Sequence, residues 1–157
     1  MSKDTRSPLE RFDAQGDLAG VRALTRFLSE QGTFDFPKLP TGLFSAAASV
    51  AEEFGQTGYQ NVWVRDNVHV AHAHLVLGDR AAAAAVAESI MTFYVRHRQR
   101  LVDLLEGRLD PAIPMNRPHI RFDGTTFSEL DEDWAHAQND ALGAFLWLYS
   151  QLALSGL

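Results

Sequence analysis

Four stretches of the chain carry apolar residues at spacings of three and four, which is the pattern of amphipathic helices. Glycines follow the first three stretches, and Gly78 and Gly107 are placed as left-handed helix stops. Asp79 is placed to cap the helix that follows it. The predicted helices run from about Leu18 to near Gly32, from Asn67 to Leu77, from Arg80 to Glu106 and from Asn139 to Ala153.

The segments between these helices carry weaker signals. Leu43 to Val50 is apolar and rich in small residues, which fits either a buried extended segment or a short helix. A turn is expected over Gly55 to Gly58, and the loop from Arg108 to Pro118 holds three prolines. In HIRFDGTTF, apolar residues flank Asp123-Gly124, the signal of a two-residue hairpin turn. The sequence therefore predicts a single all-α domain over residues 1–157, with one small β-hairpin.

Composition excludes several classes of function. The 14 basic and 20 acidic residues give a net charge of −6, which argues against a nucleic-acid binder. The absence of cysteine excludes disulfides and thiolate chemistry. No window approaches the roughly 18 apolar residues of a membrane span, and the polar N-terminus lacks a signal-peptide core. We therefore expect a cytoplasmic protein with no membrane partner and no cofactor.

The segment WVRDN places Trp63, Arg65 and Asp66 just before a predicted helix. Such a junction holds side chains rigidly at the rim of a cavity. Sugars suit this set, because their hydroxyls need donors and acceptors and their C–H faces need a flat aromatic ring. The alternative is an Arg65–Asp66 pair that caps the helix, with Trp63 in the core.

The segment WAHAQND repeats this chemistry before the last helix, with Trp134, Gln138 and Asp140. In the alternative interpretation Asn139 or Asp140 caps the helix and Trp134 packs under the hairpin. Two such junctions in one small chain favour a polar, aromatic-lined pocket.

Three histidines form a competing candidate site, because His69, His72 and His74 lie within six residues. A zinc site needs a third ligand and an orienting second shell, and on an ideal helix His74 faces away from the other two. We therefore expect no metal.

Four segments in order carry a family resemblance: TGLFSAAAS, WVRDNV, IRFDGTTF and WAHAQNDALGAFLW. From Pro40 to Leu152 the chain resembles the first part of glycoside hydrolase family 15, the glucoamylase-like enzymes. It looks most like the branch that includes the phosphorylase kinase α and β subunits. One departure is His136-Ala137, where many glucoamylases have Arg-Pro.

The resemblance implies an (α/α)6 toroid, of which a chain of this length supplies about four helices. It also implies that Arg65 and Asp66 hold hydroxyls of a terminal glucose and that Trp134 stacks on it, while Gln138 and Asp140 complete the pocket with Trp63 nearby. The expected ligand is an α-glucan or a malto-oligosaccharide. A partial toroid leaves helix faces uncovered, so we expect a homo-oligomer or a complementary chain.

Hydrolysis by inversion needs a general acid and a general base on opposite sides of the sugar. In family members both glutamates follow the second motif, and this sequence ends at Leu157 without a counterpart. Glu129 and the run Asp131 to Asp133 are adjacent acids of the kind that are usually solvated. We therefore expect a domain that binds the end of a glucan without catalytic residues of its own. The alternative is a regulatory or assembly module like the kinase subunits.

Overall fold

A computed structural model describes residues 17–46 and 60–157 of the chain. The chain divides into two units, residues 1–36 and residues 37–157. The smaller unit contains α1, Leu18–Glu30, which begins at Asp17, whose side chain accepts the Gly20 N–H at 2.8 Å. No residue of α1 is buried, and Gly32 follows the helix with a φ of +73°. The predicted helix ending near Gly32 is confirmed, and the single-domain organisation stays a prediction.

The described part of the larger unit holds four α-helices: α2 (Val64–Val76), α3 (Arg80–Arg96), α4 (Arg98–Leu105) and α5 (Asn139–Leu154). A 3-10 turn, Pro114–Asn116, interrupts the loop after α4. Helix α2 packs against both α3 and α5. The all-α class is confirmed, and none of the helices described is long and apolar enough to cross a bilayer.

The boundaries of α2 and α3 follow from local signals. Gly78 has a φ of +93° and ends α2, and Asp79 accepts the Ala82 N–H at 3.1 Å to begin α3, as predicted. Helix α2 begins three residues earlier than predicted, because the Val64 N–H donates to the Ile120 carbonyl at 3.0 Å where β1 ends. Arg65 and Asp66 therefore lie in the first turn of α2 rather than before it.

One predicted helix is divided. The sequence predicts a single helix over 80–106, but a break at His97 separates α3 from α4. No glycine or proline marks this position. The His97 ring is instead held by the Phe127 carbonyl, 2.8 Å from Nε2, and packs on Phe93 with ring centroids 4.7 Å apart. Contacts with a distant loop accompany a break that local helix propensity does not predict.

The core lies where α2, α3 and α5 meet the small sheet. Phe93 of α3 stacks on Phe122 with ring centroids 3.8 Å apart. Leu43 and Phe44 are also buried, and Phe44 forms an isolated β-bridge with Lys38, so this part of 43–50 is not helical. Residues 47–50 and the turn expected over 55–58 lie outside the described residues. The main core side chains are Leu43, Phe44, Val62, Val64, Val68, Ala83, Val86, Ile90, Phe93, Ile120, Phe122, Phe145 and Leu148.

The two-stranded antiparallel sheet pairs distant segments. Strand β1, Val62–Trp63, pairs with β2, Arg121–Phe122, with Val62 opposite Phe122 and Trp63 opposite Arg121. The chain does reverse after Phe122, which forms an antiparallel bridge with Glu129, but the loop covers 123–128 rather than two residues. The Asp123 carboxylate explains the wider turn, because it accepts the N–H groups of Thr125 and Thr126 at 2.8 and 3.0 Å.

Gly124 is required by close packing rather than by a positive φ. A Cβ at this position would lie 2.2 Å from Val62 Cγ2 and 2.6 Å from Leu39 Cδ1. We expect Gly124→Ala to destabilise the protein by about 2 kcal/mol, as overpacking does. Gly143→Ala is the matched control: its Cβ meets nothing within 4 Å inside α5, and it should stabilise by about 0.5–1 kcal/mol. Urea unfolding measures both changes in stability, and a neutral Gly124→Ala would contradict close packing against Val62 and Leu39.

Candidate functional site

A small cavity lies where β1 runs into α2. It has a volume of about 230 Å³ and is lined by Trp63, Arg65, Asp66, Ile120 and Gln138. Trp63 is the last residue of β1, and Arg65 and Asp66 lie in the first turn of α2. Gln138 immediately precedes α5. Four of the six predicted site residues therefore line one cavity.

Arg65 connects the two predicted segments. Its Nε lies 3.0 Å from Oδ2 of Asp140, and its Nη2 donates to the side-chain oxygen of Gln138. Gln138 in turn donates to the Ala135 carbonyl at 3.0 Å. In this arrangement Arg65 pairs with Asp140 across the site, not with its neighbour Asp66. Neither Asn139 nor Asp140 caps α5, because the N-cap residue is Gln138 and makes no side-chain cap bond.

The ion pair between Arg65 and Asp140 is solvent-exposed, with 44% and 61% of the two side chains accessible. Exposed pairs of this kind contribute only about 0–1 kcal/mol to stability. A guanidinium carries five N–H donors, and the contacts described for Arg65 use only Nε and Nη2. The pair therefore costs little to open, and Arg65 has donors left for a ligand.

Asn67 anchors the base of the site. Its side-chain oxygen accepts the Phe44 N–H at 2.8 Å, and its amide nitrogen donates to the carbonyls of Phe44 and Trp63 at 2.8 and 3.1 Å. The residue is 1% exposed. The amide of the WVRDN segment is therefore structural: it holds the ends of β1 and of the 43–44 segment together.

Trp134 does not line the small cavity of Trp63. Its ring and that of Trp63 meet edge to face, with centroids 5.1 Å apart and planes at 87°. It lines a second, more open hollow of about 450 Å³ together with Ile113, Pro114 and Met115. The indole in the wall of the smaller cavity is Trp63. Direct stacking of Trp134 on a sugar stays a prediction.

Arg121 is a residue that the sequence did not single out. It is 2% exposed, and its guanidinium carbon lies 4.2 Å from the ring centroid of Trp134 and 5.7 Å from that of Trp63. Its Nη2 donates to Glu132. A fully buried arginine is rare, and nothing in the pattern IRFD distinguishes it from an exposed one.

His119 and His136 form a buried stack, with ring centroids 3.8 Å apart and planes 13° from parallel. His136 Nδ1 accepts the Ile120 N–H at 3.2 Å, which makes its other nitrogen the protonated one in the neutral ring. Burial, the charge of His119 and that of Arg121 lower the pKa of His136 from 6.5 to about 4. Burial also lowers the pKa of His119. Both rings are therefore neutral at pH 7.

The acidic residues near Trp134 either form ion pairs or are exposed to solvent. Glu129 forms a two-point ion pair with Arg100, whose Nε lies 2.7 Å from Oε1. Burial alone would raise the pKa of Glu129, but the hydrogen bond from Arg100 and the positive charge of Arg100 lower it below its ordinary range. Glu132 is bound to Arg121. Glu129 is thus an ionised structural carboxylate, a poor general acid.

Two of the three histidines of α2 pack on aromatic rings, while His69 is exposed. His72 lies against Trp147 with centroids 4.7 Å apart, and His74 stacks on Phe44 at 5.5 Å, with Nδ1 3.4 Å from Asp79. Over residues 17–46 and 60–157, no cluster of three histidine, aspartate or glutamate side chains is arranged to hold a metal ion.

Comparison with known proteins identifies the family of the chain. The profile of the family "Glycosyl hydrolases family 15" matches residues 33–157, so the chain belongs to that family. The chain is also 29% identical over 134 residues to the "Uncharacterized lipoprotein YgeQ" of Escherichia coli (strain K12). That match covers 74% of this chain and 50% of the relative, so the chain spans about half the length of the relative. No solved structure matches the chain significantly.

Proposed function

We propose that this family 15 domain binds the terminal glucose of an α-glucan or malto-oligosaccharide in the cavity of Trp63, Arg65, Asp66 and Gln138. One observation carries the proposal: Arg65 of the first segment contacts Gln138 and Asp140 of the second, beside a cavity with an indole in its wall. Two segments more than 70 residues apart in sequence thereby form a single polar, aromatic-lined site.

The dimensions and the chemistry of the cavity favour one sugar ring. Its volume of about 230 Å³ is below the roughly 300–1,000 Å³ of pockets for drug-sized ligands. Arg65 supplies donors and Asp66 supplies acceptors for hydroxyl groups, while Trp63 and Ile120 supply apolar surface. The longer remainder of a glucan would extend away from the cavity into solvent.

In this proposal the chain does not hydrolyse the glucan unaided. An inverting reaction needs a raised-pKa carboxyl group opposite a carboxylate that activates water. Glu129 is held ionised by Arg100, and Glu132 is bound to Arg121. We place the acid and the base in a further part of the toroid or in a partner chain; about half of the E. coli relative lies outside the region that matches this chain.

The carboxylate of Asp66 provides the first test. We expect Asp66→Ala to weaken maltotriose binding about tenfold, because a hydrogen bond to a charged group contributes roughly 1.5–3 kcal/mol. Isothermal titration calorimetry at millimolar sugar measures the change. Glu88→Ala is the control, since this exposed acid lies on α3 and does not line the cavity. Equal affinity of Asp66→Ala and wild type would contradict the assignment of Asp66.

A second candidate function is the regulatory or assembly module of the phosphorylase kinase-like branch. One observation favours it: α5 exposes Leu146, Trp147 and Leu154, the last to 83%. Uncovered apolar side chains on one helix favour association with a second copy or a complementary chain. Wild-type protein that binds no sugar at millimolar concentration, yet forms a defined oligomer in light scattering, would favour this candidate over the first.

The cytoplasmic location is also a proposal. The E. coli relative is named a lipoprotein, which would place that protein in the cell envelope. Fractionation of cells that express the protein distinguishes a cytoplasmic location from a membrane-bound one. Recovery in the membrane fraction would overturn the cytoplasmic assignment.

A further inference from the structure

Arg121 and Trp63 are directly opposite each other in the two-stranded sheet. The other pair of the sheet, Val62 and Phe122, is completely buried in the hydrophobic core. Because neighbouring residues of a strand point to opposite faces, Trp63 and Arg121 share the face turned away from that core. The Arg121 guanidinium is thereby placed beside the indole that lines the cavity.

The surroundings of Arg121 form a layered arrangement of charge and aromatic rings. The guanidinium carbon lies 4.2 Å from the ring centroid of Trp134 and 5.7 Å from that of Trp63, while the two indoles meet edge to face. Glu132, whose side chain is mostly exposed, accepts from Nη2. A guanidinium is planar and stacks on aromatic faces, and the attraction is stronger where the pair is desolvated.

Burying an arginine side chain costs free energy, because its charge loses contact with water. Among the described residues, its buried Nε has no hydrogen-bond acceptor. Replacing a buried ion pair with apolar side chains of similar volume is often neutral or stabilising. Stability alone therefore gives no reason for arginine at this position, whereas fixing the orientation of two indoles does.

We propose that Arg121 is a positioning residue of the sugar site: it holds Trp63, through Trp134 and with Glu132 as its counter-ion, in the orientation that forms the cavity wall. This inference rests on the proposed function for the identity of the ligand, but not for the arrangement of the rings. Arg121 itself is absent from the lining of the cavity, so it acts through Trp63.

Circular dichroism detects the relative orientation of the Trp63 and Trp134 indoles in the absence of sugar. Two indoles at 5.1 Å and 87° couple their electronic transitions and produce a paired positive and negative band. Trp63→Phe and Trp134→Phe should each abolish this couplet, while Trp147→Phe, which alters a ring packed on His72, should leave it unchanged. These three variants assign the signal to the pair.

The test of the proposal is Arg121→Met, with Arg121→Lys as the conservative variant. We expect Arg121→Met to lose the couplet and to raise the Kd for maltotriose about tenfold, with the urea midpoint close to that of wild type. Arg121→Lys keeps the charge but not the planar stack, so it should retain only part of the couplet and only part of the affinity for maltotriose. Glu132→Gln, at an exposed side chain, should weaken the couplet in the same direction if Arg121→Met fails to fold.

The possible outcomes distinguish the positioning role of Arg121 from the proposed sugar binding. A folded Arg121→Met with the wild-type couplet and wild-type Kd would overturn the positioning role, as would an unchanged couplet and Kd in Glu132→Gln if the methionine variant does not fold. A wild-type protein that binds no malto-oligosaccharide, combined with a couplet lost in Arg121→Met, would refute the sugar proposal but leave the arrangement of the rings supported.

Discussion

Replacing Arg65 with alanine is expected to weaken malto-oligosaccharide binding by about a hundredfold with little change in stability. The guanidinium is the group that joins the two halves of the site, through Asp140 at 3.0 Å and through Gln138. Its removal deletes charge-assisted donors to the sugar, each contributing about 1.5–3 kcal/mol, and also releases Gln138. The lost ion pair is exposed, so the free energy of unfolding should fall by less than about 1 kcal/mol.

Calorimetry and urea unfolding of the same preparations measure the two effects of Arg65→Ala. Arg108→Ala is the matched control, because Arg108 also forms an exposed ion pair, with Asp103 at 2.6 Å, but does not line the cavity. It should bind maltotriose like wild type. An Arg65→Ala protein with wild-type affinity would remove this residue from the site, whatever its stability.

Acidification from pH 7.5 to pH 5 is expected to destabilise the protein by about 2 kcal/mol through His136 alone. Burial and the charges of His119 and Arg121 lower its pKa from 6.5 to about 4 in the folded state. Below pH 6.5 the unfolded chain binds a proton that the folded chain does not, so stability is highest above that pH and falls toward pH 4. His119, whose pKa is also lowered, acts in the same direction.

Urea unfolding at pH 7.5, 6 and 5 tests this dependence. Glu129 does not affect the comparison between pH 7.5 and pH 5. Because its pKa is lowered in the folded state, its contribution to stability is lost only at pH values below its ordinary pKa of 4.5. His136→Asn keeps a side-chain acceptor for the Ile120 N–H but does not titrate, so its stability should change less over this range. Equal pH slopes for the variant and the wild type would contradict the assignment of the effect to His136.

Much of the fold follows from signals that are local in sequence. The predicted helix limits at Gly32, Gly78 and Asp79 are confirmed, because a positive φ or a capping carboxylate acts within a few residues. The break at His97 was not predictable in the same way, since it accompanies contacts with Phe127 some 30 residues away. The same holds for the pairing of β2 with β1, which is distant in sequence; the chain reversal at Asp123-Gly124, where Phe122 bridges Glu129, is the part that the sequence does predict.

Local sequence signals likewise predict some residues of the candidate site, whereas others depend on tertiary packing. Trp63, Arg65, Asp66 and Gln138 could be selected because polar and aromatic side chains at helix starts are visible in the sequence, and they share one cavity. That Arg65 pairs with Asp140 rather than Asp66 depends on how α2 and α5 pack. Arg121 and the stack of His119 on His136 were not selected, because burial decides their roles and a single sequence does not reveal it.

The most direct test of sugar binding follows the three indole N–H signals in a ¹H–¹⁵N spectrum during titration with maltotriose. Trp63 lines the cavity, Trp134 touches its ring, and Trp147 lies on α5 against His72. The Trp63 signal should shift most and should saturate, the Trp134 signal should shift less, and the Trp147 signal should stay in place. A spectrum in which Trp63 does not move at saturating sugar, or in which Trp147 alone moves, would contradict sugar binding at this site.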